Sequence, residues 1–121
     1  MTWLLVHPPL LGPAVLAPLA AELRRRGTDV AVPDLRGLVQ DPASDAPSAA
    51  GWAHRWAAGV GAADVAVGFS GAGIVLPAVA AACGARRVVW LDAVLPPPSG
   101  TARWPADVRE RIGPLTGGDG R

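Results

Sequence analysis

The stretch VAVGFSGAGIVLPAVAAACG, Val65 to Gly84, decides how this chain folds. Its first five residues form an apolar, valine-rich run that suits a buried strand. Its second half is alanine-rich and suits a helix. A single serine, Ser70, stands at the join between small residues, Gly68 and Gly71 to Ala72. A strand that hands over to a helix through one serine raises two possibilities. Ser70 is an ordinary turn residue, or it is a nucleophile held out of the chain by a sharp turn.

Working outward, the same alternation repeats. Thr2–His7 is an apolar run of strand length. Residues 13–27 carry Val15, Leu16, Leu19 and Leu23 at helical spacing, with Gly27 as a stop. Thr28–Asp34 reads as a second strand closed by Pro33, and residues 35–47 as a polar, proline-bearing loop. A helix is expected from Ser48, a plausible N-cap, to about Gly61, with Trp52 and Trp56 on one face. Ala63–Phe69 is a third strand. The helix after it contains Pro77, so a kink or a late start is expected. Arg86–Asp92 is a fourth strand. Residues 103–113 suit one short helix with Pro105 near its start, and the remainder a flexible tail.

The expected fold class is therefore α/β, a doubly wound and mostly parallel sheet built as β-α-β-α-β-α-β. Apolar strands imply helices on both faces. Right-handed crossovers and the commonest doubly wound arrangement give strand order 2-1-3-4. Winding reverses between strands 1 and 3, and ligands bind such folds at that crevice. The two least regular loops, HPPLLGP and GFSGAG, meet there. The expected organisation is a core over residues 1–98, followed by the short helix and tail over 99–121.

Composition removes several function classes. The 121 residues fit one domain, and half are apolar, so a small core can form. A net charge of +1 with dispersed arginines leaves no footprint for nucleic acid. Arg24-Arg25-Arg26 precedes Gly27, where cations complement a helix C-terminus. No apolar run approaches the roughly 18–20 residues that span a bilayer, and no basic segment precedes the first apolar run, so neither a membrane nor a secretory role is expected. Cys83 is alone, which leaves no disulfide framework or cysteine metal cluster and fits a cytoplasmic setting. No zinc spacing or dinucleotide fingerprint occurs, so no cofactor and no metal are expected. The Ser-Gly-Ala-Gly turn has the shape of a phosphate cradle, a weaker alternative. With no Tyr and no Lys, acid–base chemistry falls to His7, His54 or a carboxylate.

GFSGA, residues 68–72, resembles the G-x-S-x-G nucleophile elbow of the α/β-hydrolase family, with Ala72 in place of the last glycine. LLVHPPLLGP resembles that family's strand, the third of its usual scheme, followed by its oxyanion loop. VAVPDLRG resembles its next strand, and VVWLDAVLP the strand after the nucleophile helix in the small esterase and hydroxynitrile-lyase branch. The resemblance runs from Thr2 to Pro98 and implies the N-terminal half of that fold. It implies a serine hydrolase acting on a small carboxylic ester or thioester, with Ser70 as nucleophile, Gly71 and Leu10 as oxyanion-hole donors, and Asp92 as a weak candidate acid.

The sequence departs from the family in two ways. The family's catalytic histidine follows the nucleophile, and here no histidine follows Ser70. His7 corresponds to a residue that is usually structural, and His54 is expected to be a partly buried helical histidine. The base must then come from a complementing chain or further polypeptide, or be absent, which makes a non-catalytic remnant or small-molecule-binding module the alternative. Secondly, Pro8 and Pro9 occupy positions whose N–H groups would face the oxyanion, and proline has none. Losing one such donor costs roughly 2.7–4 kcal/mol of transition-state stabilisation. The fourth strand, with no neighbour expected beyond it, should expose an apolar edge through which a second copy or a complementing chain associates. Asp34 is expected to form a turn. Asp41 and Asp45 have no nameable partner, and Trp52, Trp56 and Trp104 read as packing residues.

Overall fold

The computed structural model describes residues 1–39 and 49–96. Within them the chain runs β1 (Thr2–Val6), a 3-10 turn (Pro13–Leu16), α1 (Ala17–Arg25), β2 (Asp29–Ala31), α2 (Arg36–Val39) and α3 (Ala49–Ala58). It continues through β3 (Val65–Phe69), a second 3-10 turn (Ser70–Ile74), α4 (Leu76–Cys83) and β4 (Arg87–Leu91). The expected cap at Ser48, Asp41, Asp45, Trp104, the helix over 103–113 and the tail lie outside the described residues, as does the side chain of Trp52.

All four strands are parallel, in the order β2-β1-β3-β4. Trp3 pairs with Val30 on one side of β1 and with Val65 on the other. Val65 pairs in turn with Arg87. Alternation along the strands divides the core between two faces. Leu4, Val6 and Ala66 face one side, against Trp56 of α3 and Val79, Ala80 and Cys83 of α4. Leu5, Val65 and Val67 face the other, against Leu16 and Ala20. The predicted fold class, sheet order and two-sided helix cover all hold.

Local chemistry explains where elements stop. After α1, Gly27 takes φ +83°. The Thr28 N–H then reaches the Leu23 carbonyl at 3.0 Å, and the Gly27 N–H reaches that of Arg24 at 2.9 Å. Gly84 (φ +70°) ends α4 the same way, with the Ala85 N–H on the Ala80 carbonyl at 3.0 Å. These are helix ends closed by a left-handed glycine, where any side chain would be strained. Arg25 and Arg26 turn back to Glu22 at 2.7 Å each, on an exposed face. Pro77 lies in the first turn of α4, where its missing N–H has no partner to lose, so the helix starts late rather than kinking.

Three expectations need correction. The segment expected to be loop after Pro33 contains the short helix α2. Its entry is organised by Asp34, whose carboxylate accepts the Arg36 N–H at 3.1 Å. β2 spans only Asp29–Ala31, because Val32 and Pro33 pass out of the ladder. His54 is exposed on α3, not partly buried.

His7, by contrast, is completely buried. Its Nε2 accepts the Leu35 N–H at 2.9 Å, and its Nδ1 donates to the Pro8 carbonyl at 2.7 Å. Its ring meets that of Trp56 at a centroid distance of 5.1 Å. The imidazole thus ties the loop after β1 to the segment after β2. His7→Ala leaves the Leu35 amide without its acceptor and opens a void. We expect it to lower the unfolding free energy by about 2–4 kcal/mol in urea titrations, against no change if the ring is not bonded on both sides.

Gly73 presents the second close contact. A Cβ there would overlap the Val94 carbonyl oxygen, which is backbone and cannot swing aside. Gly73→Ala is expected to cost about 1–3 kcal/mol and to increase amide exchange at Val94. An unchanged midpoint and unchanged exchange would contradict this packing.

Candidate functional site

Ser70 stands where β3 ends. Phe69 is still extended, with φ −107° and ψ 134°, and Ser70 switches to φ +51°. A non-glycine residue in the left-handed region costs on the order of 1–3 kcal/mol and persists only when its surroundings hold it there. Three features hold it. Gly68 has Leu76 of α4 packed so closely that a Cβ would come within 2.8 Å of Leu76 Cδ2. Gly71, Ala72 and Gly73 are buried under the turn. The Val94 N–H donates to the Ser70 carbonyl at 3.0 Å. The side chain at the apex is half-buried, neither packed into the core nor part of a continuous helix.

Gly71 follows at the start of the 3-10 turn, where the first backbone N–H groups have no partner within their own helix. Asp92 directly follows β4. The register pairs Phe69 with Leu91, so Ser70 and Asp92 are the next residues on adjacent strands. Asp92 is exposed and also left-handed, with φ +44°, a conformation aspartate tolerates better than most residues. Two neighbouring strands therefore both reverse at the same edge of the sheet.

The loop after β1 lies at that edge too, because Val6 pairs with Gly68. Pro8 and Pro9 are buried. The Leu11 N–H closes a turn onto the Pro8 carbonyl at 3.2 Å, with Leu10 near its tip and 42% exposed. The structure thus gathers Ser70, Gly71, Asp92 and the Leu10 loop along the carboxyl ends of β1, β3 and β4. Neither histidine joins them. Both ring nitrogens of His7 are engaged, and His54 sits on α3, which leads down to the amino end of β3.

Two features of this edge escaped the sequence reading. The first is the Val94 amide on Ser70, a long-range contact for which Gly73 is the only hint in the sequence. The second is the Asp34–Arg36 pair, at 2.6 Å, whose guanidinium lies over Gly12 with its carbons and nitrogens 3.1 Å from where a Cβ would stand. Arg36 holds the Asp34 carboxyl down at about 2, chiefly through the side-chain hydrogen bonds and then through its own backbone N–H. Among the described residues no group of acidic, histidine or cysteine side chains could hold a metal ion, and no helix is long and apolar enough to cross a membrane.

No family model matches the chain, and no curated protein matches it. Among solved structures, it is similar to an extracellular α/β-hydrolase from a Paenibacillus species. That protein is described as sharing structural and functional homology with tobacco salicylic acid binding protein 2. The superposition has a TM-score of 0.69 at 21% identity, covering 97% of this chain and 52% of the other. The chain therefore has the fold of an α/β-hydrolase and spans about half the length of the solved structure it matches.

Proposed function

We propose that this chain is a serine-hydrolase-like domain that acts on a small carboxylic ester or thioester through Ser70. The observation that carries the proposal is the reversal at Ser70, a left-handed serine at the carboxyl end of a central parallel strand. That backbone supports a nucleophile raised above the sheet. In the reaction, Ser70 Oγ bonds to the carbonyl carbon while its proton passes to a general base. The charge on the carbonyl oxygen is met by the Gly71 N–H, with the Leu10 N–H as second donor. Collapse expels the alcohol or thiol, which takes the proton back, and water then releases the acid by the same route. Asp92 is the candidate for orienting the base.

The base is a histidine from outside these 121 residues, supplied by a complementing chain or further polypeptide. His7 is unsuited, because its Nε2 lone pair already accepts the Leu35 N–H. That same engagement favours a second reading, in which the domain binds an ester-like small molecule without turning it over.

A fluorophosphonate probe separates the two readings. With the polypeptide that supplies the histidine present, the hydrolase reading predicts phosphonylation at Ser70, found by peptide mass spectrometry and abolished in Ser70→Ala. A folded protein that stays unlabelled even with the histidine-bearing polypeptide present would leave only the binding reading.

A further inference from the structure

We infer that Arg36 is a positioning residue for the oxyanion donor: its guanidinium, clamped by Asp34 and laid against Gly12, sets the Leu10 loop at the sheet edge where Ser70 stands. The inference deepens the hydrolase reading and rests on it. The loop runs from Pro8 to Gly12, and one place in the fold, the exit of β2, holds both of its ends. At the near end the Leu35 N–H donates to His7 Nε2 at 2.9 Å, while His7 Nδ1 donates to the Pro8 carbonyl at 2.7 Å. At the far end the Arg36 guanidinium lies against Gly12. A Cβ at Gly12 would stand 3.1 Å from Arg36 Cδ, Nε and Cζ, so the bare side of the glycine is where the fork rests. Two consecutive residues, Leu35 and Arg36, thus fix the two ends of the segment that carries Leu10.

The chemistry of this clasp suits aim rather than stability. Asp34 and Arg36 are both exposed, and an exposed ion pair contributes little free energy. The fork is nevertheless planar and bonded along its edge. Arg36 Nε donates to Asp34 Oδ1 at 3.0 Å, and Nη2 donates to Oδ2 at 2.6 Å. The Arg36 backbone N–H donates to the same Oδ1 at 3.1 Å, so the backbone and side chain of one residue are tied to one carboxylate. That fixes the plane of the guanidinium where it meets Gly12. The side-chain hydrogen bonds from Arg36 hold the Asp34 carboxyl down at about 2, so the clasp is closed throughout the neutral range. Within the loop, Pro8 and Pro9 carry no N–H, and that of Leu11 is bonded to the Pro8 carbonyl. Among these four residues Leu10 is left as the donor, and a donor helps an oxyanion only when its direction is set beforehand.

Amide hydrogen exchange of the full chain at neutral pH tests the clasp, read at the Leu11 N–H. Arg36→Ala is expected to speed that exchange several-fold and to leave the urea midpoint nearly unchanged. Arg36→Lys keeps the charge but lacks the planar fork, and should not restore protection. Gly12→Ala should push the guanidinium aside and speed exchange in the same way. Added to Arg36→Ala it should cost nothing more, because the two changes remove one contact. Fluorophosphonate labelling, with the polypeptide that supplies the histidine present, then separates positioning from mere support. Arg36→Ala should lower the maximal rate of phosphonylation at Ser70 on the order of tenfold and leave the half-saturating probe concentration unchanged, because an oxyanion donor acts on the transition state. Unchanged exchange in Arg36→Ala, additive effects of the two changes, or a labelling rate equal to that of the wild type would overturn the inference. A wild-type chain that never labels overturns the hydrolase reading instead, and exchange at Leu11 then upholds or overturns the clasp by itself.

Discussion

The constraint on which the molecule turns is the reversal of the chain at Ser70. A central strand must end there and α4 must begin at Leu76, six residues on, on the face that already holds α3. The chain meets this demand by placing Ser70 in the left-handed region, surrounded by residues too small to collide. The strain is sustained from outside as well as from within. Leu76 closes on Gly68, and the Val94 amide bonds the Ser70 carbonyl. Since Val94 follows β4, the turn is locked only when the last described strand is in place. Local geometry at the apex and the global order of the sheet thus depend on each other.

The second anchor serves the neighbouring loop. In a loop without prolines after β1, backbone amides could turn toward the sheet edge. Here Pro8 and Pro9 remove two of them and stiffen the path. His7 instead uses the first proline's carbonyl as an acceptor and the Leu35 amide as a donor, so the loop is fastened to the exit of β2. The Asp34–Arg36 pair closes over Gly12 from the same side. A histidine in this role gives rigidity to the crevice and forfeits proton transfer.

Much of this was legible in the sequence, and the reasons are physical. Thr2–Val6 and Val65–Phe69 are apolar without alternation, which only a doubly covered parallel sheet accommodates. Right-handed crossovers then leave little choice of strand order. Ser70 stood out because small residues flank it at a strand end. Pro77 announced a late helix start. What the sequence concealed depended on contacts between distant segments. Nothing near Gly73 names Val94 as its neighbour. α2 forms because one aspartate caps one amide, a signal too short for periodicity to reveal. His54 was expected to be a partly buried helical histidine, yet it falls on the solvent side of α3.

The account stands most directly on the conformation of residue 70. A high-resolution crystal structure measures it. The prediction is electron density with Ser70 at a φ near +50°, the Val94 amide on its carbonyl, and Oγ open to the crevice between the Leu10 loop and Asp92. A Ser70 with helical φ inside a continuous helix, or an Oγ packed into the core, would contradict it.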